Sequence, residues 1–307
     1  MAPLEPDRPA VAGTAFASLR TMSAQETTIT RLVVTCDDRP GIVSAVSTFL
    51  HEHGANILES AQHSSDPSEG LFFLRMEFAA TPEATAEIVG SFGGDVADRY
   101  AMQWWTWPAQ RPKRLAILAS KVDHCLLDLL WRARRGDLGA ECVVVASNHA
   151  VLREAVEPFG VPFVHVPVLS GGKAEAEEEL LRHLVGACDV VVLARYMQIV
   201  SGDFLTRVGV PVINVHHSLL PAFVGADPYR QARERGVKLI GATAHYVTED
   251  LDAGPIIEQD VIRVAHRDDV AALRRSGADI ERIVLSRAVA WHCADRVVRH
   301  GGSTVVF

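Results

Sequence analysis

The chain lacks the marks of a secreted, membrane-spanning or nucleic-acid-binding protein. Its five cysteines (Cys36, Cys125, Cys142, Cys188, Cys293) are dispersed and form no Cys-x-x-Cys. An odd, scattered set argues against a disulfide framework and fits reduced thiols in a cytoplasmic protein, buried as small apolar residues. No apolar run approaches the ~18 residues of a membrane span, so no membrane partner is expected. The first residues also lack the charged start and apolar core of a secretory signal. Positive charge is short as well: 30 Lys and Arg stand against 38 Asp and Glu, a net charge of −8. Phosphate backbones require clustered cations, and no basic stripe with interleaved aromatics is present, so nucleic acid is not expected as a partner. Residues 1–28 lack periodicity altogether and read as a disordered tail, with Met22 a candidate for the true start of translation.

What is there suits two domains: 307 residues, 48% of them hydrophobic. The expected class is α/β. A ferredoxin-like βαββαβ unit over 29–108 is followed by a linker at 109–112 and a mostly parallel, Rossmann-like domain over 113–307. In the front unit, strand patterns at Arg31–Cys36, Asn56–Ser64, Leu71–Phe78 and Tyr100–Trp107 alternate with helical spacing at Ile42–His53 and Glu83–Phe92. Trp104, Trp105 and Trp107 read as an edge-strand packing surface. Pro108 precedes the linker and Pro112 ends it.

Beyond it, strands at Arg114–Ala119, Cys142–Ala146, Phe163–Val166, Asp189–Ala194 and Pro211–Asn214 alternate with helices at Cys125–Arg134, His149–Phe159 and Lys173–Gly186. That alternation implies a parallel sheet with right-handed crossovers. Glu175, Glu177, Glu178 and Glu179 read as a solvated helix face, and Ala278–His300 as a helical stripe. The arginines from Arg274 to Arg299 lend that stripe local positive charge.

One stretch concentrates chemistry. The apolar run Val212–Val215 ends in Asn214-Val-His216-His217-Ser218. Side chains two apart on a strand share a face, so Asn214 and His216 converge. They also lie at the carboxyl end of a parallel strand, where such sheets bind ligands. Thirty-six residues after His216, the acidic loop Glu249-Asp-Leu-Asp252-Ala-Gly254 supplies carboxylates. An amide, an imidazole and a carboxylate are the parts of a hydrolytic acyl site, and Asn214, His216 and Asp252 are its candidate catalytic residues. Adjacent His216 and His217 would point to opposite strand faces, and no His-x-x-x-His or zinc-spaced set accompanies them, so no metal is expected. The segment Ser170-Gly-Gly-Lys173 lacks phosphate-loop spacing and reads as a turn.

Two resemblances add to this. Asp38-Arg39-Pro40-Gly41-Ile42 and Gly54-Ala55-Asn56-Ile57 resemble the ACT domain. That implies an amino-acid effector held near Asp38, Arg39, Pro40, Gly41, Ile42 and Asn56, and a homo-oligomer; physically, Gly41 opens a helix whose free N–H groups suit a carboxylate. The blocks Asn214-Val-His216, Ser218-Leu-Leu-Pro221, Gly241-Ala-Thr-Ala-His245 and Asp252-Ala-Gly254 resemble the folate-dependent formyl transferases. Behind an ACT-like unit, their order over 29–307 is similar to the formyltetrahydrofolate deformylase (hydrolase) family. The resemblance implies hydrolysis of 10-formyltetrahydrofolate to formate and tetrahydrofolate, supplying formate for purine biosynthesis and balancing one-carbon folate pools. The folate is substrate, and no cofactor is implied. Its expected walls are Arg195, Met197, Gln198, Ile199 and Val200 on one side and Thr248, Glu249, Asp250 and Leu251 on the other.

The competing reading is formyl transfer to a small amine such as glycinamide ribonucleotide. Such transferases carry a Gly-Ser-Gly-Ser-like turn after the first strand, whose open amides cradle a phosphate. Here Ala119-Ser-Lys-Val-Asp-His124 stands in its place, and water becomes the expected acceptor. A third reading, an amino-acid sensor with an inactive enzyme domain, has the complete Asn214, His216, Asp252 set against it.

Overall fold

The computed structural model describes residues 27–66, 70–220 and 228–307. The expected tail up to residue 26, Met22 and Pro221 lie outside them. Residue 28, read as part of the tail, already begins the first strand.

The front unit runs β1 (Thr28–Asp37), α1 (Ile42–Glu52), β2 (Asn56–Ser64), β3 (Leu71–Ala80), α2 (Pro82–Phe92) and β4 (Gln103–Pro108). Its antiparallel sheet has the order β2-β3-β1-β4. Alternation decides the faces. Leu32, Val34, Leu74, Met76 and Phe78 enter a core with Ile42, Val46, Phe49 and Leu50 of α1 and Ile88 and Phe92 of α2. Thr81 caps α2, accepting from the Ala84 N–H at 3.2 Å, with Pro82 in its first turn. The last strand starts at Gln103 rather than Tyr100, because a π turn and a 3₁₀ turn occupy 93–100 and Ala101 adopts positive φ.

The second unit adds β5 (Lys113–Ala119), α3 (His124–Arg135), β6 (Ala140–Ser147), α4 (Arg153–Val156), β7 (Phe163–His165), α5 (Lys173–Leu184), β8 (Val190–Ala194) and α6 (Gly202–Val208). It continues with β9 (Val212–His216), α7 (Pro228–Glu234), β10 (Leu239–Tyr246), β11 (Ile256–Arg263), α8 (Val270–Cys293), β12 (Val297–His300) and β13 (Ser303–Val306). The sheet order is β11-β10-β9-β8-β5-β6-β7. Strands β7, β6, β5, β8 and β9 are parallel, and β10 and β11 extend the sheet antiparallel. Strand β8, Val-Val-Val-Leu-Ala, is buried throughout, as a parallel strand covered on both faces must be.

Three expectations are corrected. The helix expected over His149–Phe159 breaks into a 3₁₀ turn, the single turn α4 and a second 3₁₀ turn, because Pro158 has no N–H to give and Gly160 leaves at positive φ. The stripe expected to reach His300 ends at Cys293, where Asp295 turns at φ 52° and Val297 enters a strand. The acidic face of α5 is not all solvated: Glu177 accepts from the Ser201 N–H at 2.9 Å and from its hydroxyl, fixing the loop before α6.

The C-terminal hairpin β12–β13 packs back on the front unit. Val298, Val305 and Phe307 meet Val33, Phe73 and Leu71 on the outer face of the ACT-like sheet. Arg31 and Arg75 span the same boundary, donating to the carbonyls of Cys293 and Ala294. Among the described residues no helix is long and apolar enough to cross a membrane.

Candidate active site

Strand β9 places the two central side chains. Ile213 and Val215 are buried in the core on one alternation of β9, between β8 and β10, which fixes the register and leaves Asn214 and His216 on the other. Across the antiparallel pair, Asn214 opposes His245 and His216 opposes Thr243. Opposed residues share a face, so the four side chains form one polar row at the sheet's carboxyl edge. Thr243 ties down the exit: its hydroxyl donates to the Ser218 carbonyl at 2.9 Å and accepts from the Leu220 N–H at 3.0 Å.

The acidic loop is bent back onto this row. Asp252 sits at φ 53°, in the left-handed region that L-residues other than Asn and Asp rarely enter. A Cβ at Gly254 would lie 1.8 Å from the Tyr246 carbonyl oxygen, so only glycine allows the turn. The bend sets Asp252 Oδ2 3.2 Å from His216 Nδ1 and Oδ1 3.6 Å from His245 Nε2. The hydrogen bond from His216, with His245 close by, holds the Asp252 carboxyl well below the usual carboxylate range, against the upward push of burial.

His245 Nδ1 meets the Tyr246 carbonyl at 2.9 Å, and its Nε2 meets Asn214 Nδ2 at 3.2 Å. One nitrogen cannot accept from Asn214 and donate to Asp252 at once. With Nδ1–H given to the carbonyl, Nε2 is the acceptor for Asn214, and His216 is the main partner of Asp252. His216 Nε2 is buried with no hydrogen-bond partner among the described residues. A buried, unpaired ring nitrogen is costly in a resting fold and suits a ligand atom that completes it.

The expected folate walls divide. Met197, Ile199 and Leu251 are 60%, 58% and 63% exposed, an unusual apolar display beside a polar cluster. Val200 is buried, and Gln198, Thr248, Glu249 and Asp250 are exposed. Thr248 and Glu249 line a cavity of about 430 Å³ with Gly202, Leu205, Val212 and Val247. Arg195 goes elsewhere: its Nε lies 3.6 Å from Glu281, and it lines a cavity of about 480 Å³ with His124, His217, Tyr229 and Glu281. Arg195 and Met197 both adopt φ 60°, so the segment is as contorted as the Asp252 turn.

That second cluster was not anticipated. Glu281, 2% exposed on the buried face of α8, accepts from His124 Nε2 at 2.8 Å and the Tyr229 hydroxyl at 2.7 Å. Burial pushes its carboxyl up, but His124, the Arg195 charge and Tyr229 outweigh it and hold it low. Gly277 makes the room, since a Cβ there would strike the Tyr229 ring. The available signal was a carboxylate among Ile280, Val284 and Leu285 on an apolar helix stripe. His124, Cys125 and Glu281 have ligand atoms within 4.8 Å of one another, but Glu281 is already committed to His124 and faces Arg195.

His216 and His217 do not diverge as expected. Strand β9 ends at His216, so His217 lies in the following bend and its ring stacks on His216 at 5.1 Å. Burial, with Arg195 and His216 nearby, pulls His217 down to about 4.

In the front unit the expected ligand residues disperse. Asp38 accepts from the Ser64 hydroxyl. Arg39 donates to the Arg99 carbonyl at 2.7 Å and lies over the Tyr100 ring. Pro40 and Asn56 are exposed and Ile42 is core. Of the set, Gly41 alone lines a cavity there, of about 520 Å³, with Arg99 and Tyr100.

The formyl transferase family matches residues 113–289, and the ACT domain matches residues 30–92. A formyltetrahydrofolate deformylase of Mycobacterium tuberculosis is 57% identical over 281 residues, 91% of each chain. One of Bacillus subtilis is 52% identical over 280 residues, 90% of this chain and 93% of its own. The crystal structure of a formyltetrahydrofolate deformylase from Pseudomonas syringae superposes with a TM-score of 0.87 at 47% identity, covering 93% of this chain and 96% of its own.

Proposed function

The chain belongs to the formyltetrahydrofolate deformylase family, and from that premise we propose that it hydrolyses 10-formyltetrahydrofolate to formate and tetrahydrofolate. The observation that carries the mechanism is the convergence of Asn214, His216 and Asp252 from two distant segments, with His216 Nε2 left unpaired.

The chemistry follows from those positions. Asp252 accepts from His216 Nδ1 and fixes the ring, so Nε2 is the nitrogen that meets substrate. As a neutral ring, His216 takes a proton from the attacking water while the water oxygen bonds to the formyl carbon. The carbonyl oxygen becomes an oxyanion, and the Asn214 amide is the donor beside it; such a donor is worth ~3 kcal/mol in comparable sites. The C–N10 bond then breaks, N10 takes the proton from the His216 imidazolium, and formic acid leaves to ionise in solution. Met197, Ile199, Val200 and Leu251 offer the apolar platform for the pterin, with Gln198, Thr248, Glu249 and Asp250 as its polar edge. Arg195 contributes to folate binding through its backbone, since its side chain is engaged with Glu281.

Water as acceptor agrees with the filled side of the site. The space beside the first-strand turn holds the His124–Glu281–Tyr229 network with Arg195, so a phosphorylated amine finds a carboxylate rather than open amides. The expected test is an assay with 10-formyltetrahydrofolate and no added amine. Stoichiometric formate release supports hydrolysis, and release that requires an amine overturns it.

The same proposal extends to context. The formate supplies purine biosynthesis and the reaction balances one-carbon folate pools. The protein acts in the cytoplasm, in keeping with its five free thiols, and as a homo-oligomer. The ACT domain regulates turnover by binding an amino acid, with the cavity beside Gly41 as its seat in this unit.

A further inference from the structure

Another cavity, of about 540 Å³, lies between the two units. Thr35 of β1 and Trp105 and Trp107 of β4 contribute one wall, and Tyr246, His292 and Arg299 of the catalytic unit contribute the other. Its charges are mostly spent. Lys113 Nζ meets Asp295 at 2.6 Å, and Asp189 is held by Arg114 at 2.8 Å. Arg299 has no carboxylate partner among the described residues; its guanidinium lies 5.1 Å from the centroid of the Tyr246 ring. The Thr35 hydroxyl is buried there without a hydrogen bond. Trp105, 38% exposed, is a large aromatic left in the open. A site with one cation that has no carboxylate partner, one unpaired hydroxyl and one exposed aromatic wall has a definite complement.

We propose that this interdomain cavity binds a small monocarboxylate with a flat apolar body, its carboxylate on Arg299 and its body against Trp105. An added ammonium finds no acceptor to spare, because Asp189 and Asp295 are already paired with cations. The site is distinct from the Asp38–Ile42 turn and from the cavity beside Gly41.

Its walls reach the catalytic row. The Tyr246 carbonyl accepts from His245 Nδ1 at 2.9 Å, and the Tyr246 hydroxyl pairs with His292 Nδ1 at 2.8 Å. Arg299, Val210 and Pro211 also line the cavity that contains Thr248 and Glu249. A ligand that draws Arg299 toward β4 therefore acts on the loop that carries Asp252. This coupling rests on the hydrolytic reading of the site; the binding does not.

The test uses the full chain and tryptophan fluorescence, titrated with 3-phenylpropionate and its uncharged amide. The acid is expected to quench saturably and to bind at least about tenfold more tightly than the amide, as a charge-assisted contact requires. Arg299→Gln, at an exposed position, is expected to bring the acid down to the level of the amide, and Trp105→Leu to remove most of the quench. Equal binding of acid and amide, or unchanged binding in Arg299→Gln, overturns the proposal. Saturating acid is further expected to shift the KM for 10-formyltetrahydrofolate at least about twofold in the unaltered protein and not in Arg299→Gln. An unshifted KM with binding intact overturns the coupling. Binding in a chain that releases no formate would reject the hydrolytic reading and leave the cavity standing.

Discussion

Two strand ends that carry polar residues, those of β1 and β9, behave oppositely. At the end of β1, Asp38 and Arg39 spend their side chains on the Ser64 hydroxyl and the Arg99 carbonyl, so both are satisfied within the front unit. At the end of β9, Asn214 and His216 reach Asp252 and His245 from other segments, and a buried His216 nitrogen stays unpaired. The first arrangement is complete as it stands, so removing a member costs a local bond. The second leaves a buried nitrogen open to a ligand, so on the proposed mechanism removing a member costs chemistry. At the end of β9 the unpaired buried His216 nitrogen, more than the polar residues themselves, marks the proposed reactive place.

Substitutions can break this contrast in order of size. Asp252→Asn keeps the shape but no longer accepts the His216 N–H as a carboxylate. It is expected to lower kcat about 10³-fold with folate binding retained, read by formate release and equilibrium titration. Asn214→Ala removes the oxyanion donor and is expected to cost about 10²-fold in kcat with little change in KM. Glu281→Leu leaves His124, Arg195 and Tyr229 facing an apolar group; breaking such a buried pair costs about 3 kcal/mol, visible as a lowered urea midpoint.

The acid response should follow the same corner. His217 is held near 4, below the ordinary histidine value of 6.5, so the unfolded chain binds the extra proton first. Stability from keeping that ring neutral is therefore present above pH 6.5 and lost as pH falls toward 4. The depressed Asp252 carboxyl adds a loss at lower pH, beginning near the unfolded value of ~3.9 and continuing as its lowered value is passed. Urea midpoints for His217→Asn should show a shallower decline between pH 6.5 and 4 than the unaltered protein. The smallest effect is expected on the other strand end: Asp38→Ala, which loses a half-buried bond to Ser64, should cost about 1 kcal/mol and leave kcat unchanged.

Much of this was legible in the residues. Period-two apolar runs located the strands, and the Asn-x-His spacing with a distant acidic loop named the three central side chains. Less legible was anything set by chain reversal. His217 stacks on His216 because β9 stops one residue earlier than an alternating strand would suggest. Glu281 hid within an apolar helical stripe, because periodicity reports burial and not the partner waiting in the core. The resemblance groups Arg195 with Met197 as one folate wall, yet positive φ at both residues sends the Arg195 side chain to a different cavity. The antiparallel pair β10–β11 and the hairpin β12–β13 escaped because their partners are set by long-range pairing and, for the hairpin, by the outer face of the front sheet.

The most direct check on the central claim is isotopic. With 10-formyltetrahydrofolate turned over in ¹⁸O-labelled water and no amine present, the account predicts formate carrying one solvent-derived oxygen per turnover, and almost none from Asp252→Asn. Unlabelled formate, or a formyl group that leaves folate only for an added amine, would contradict it.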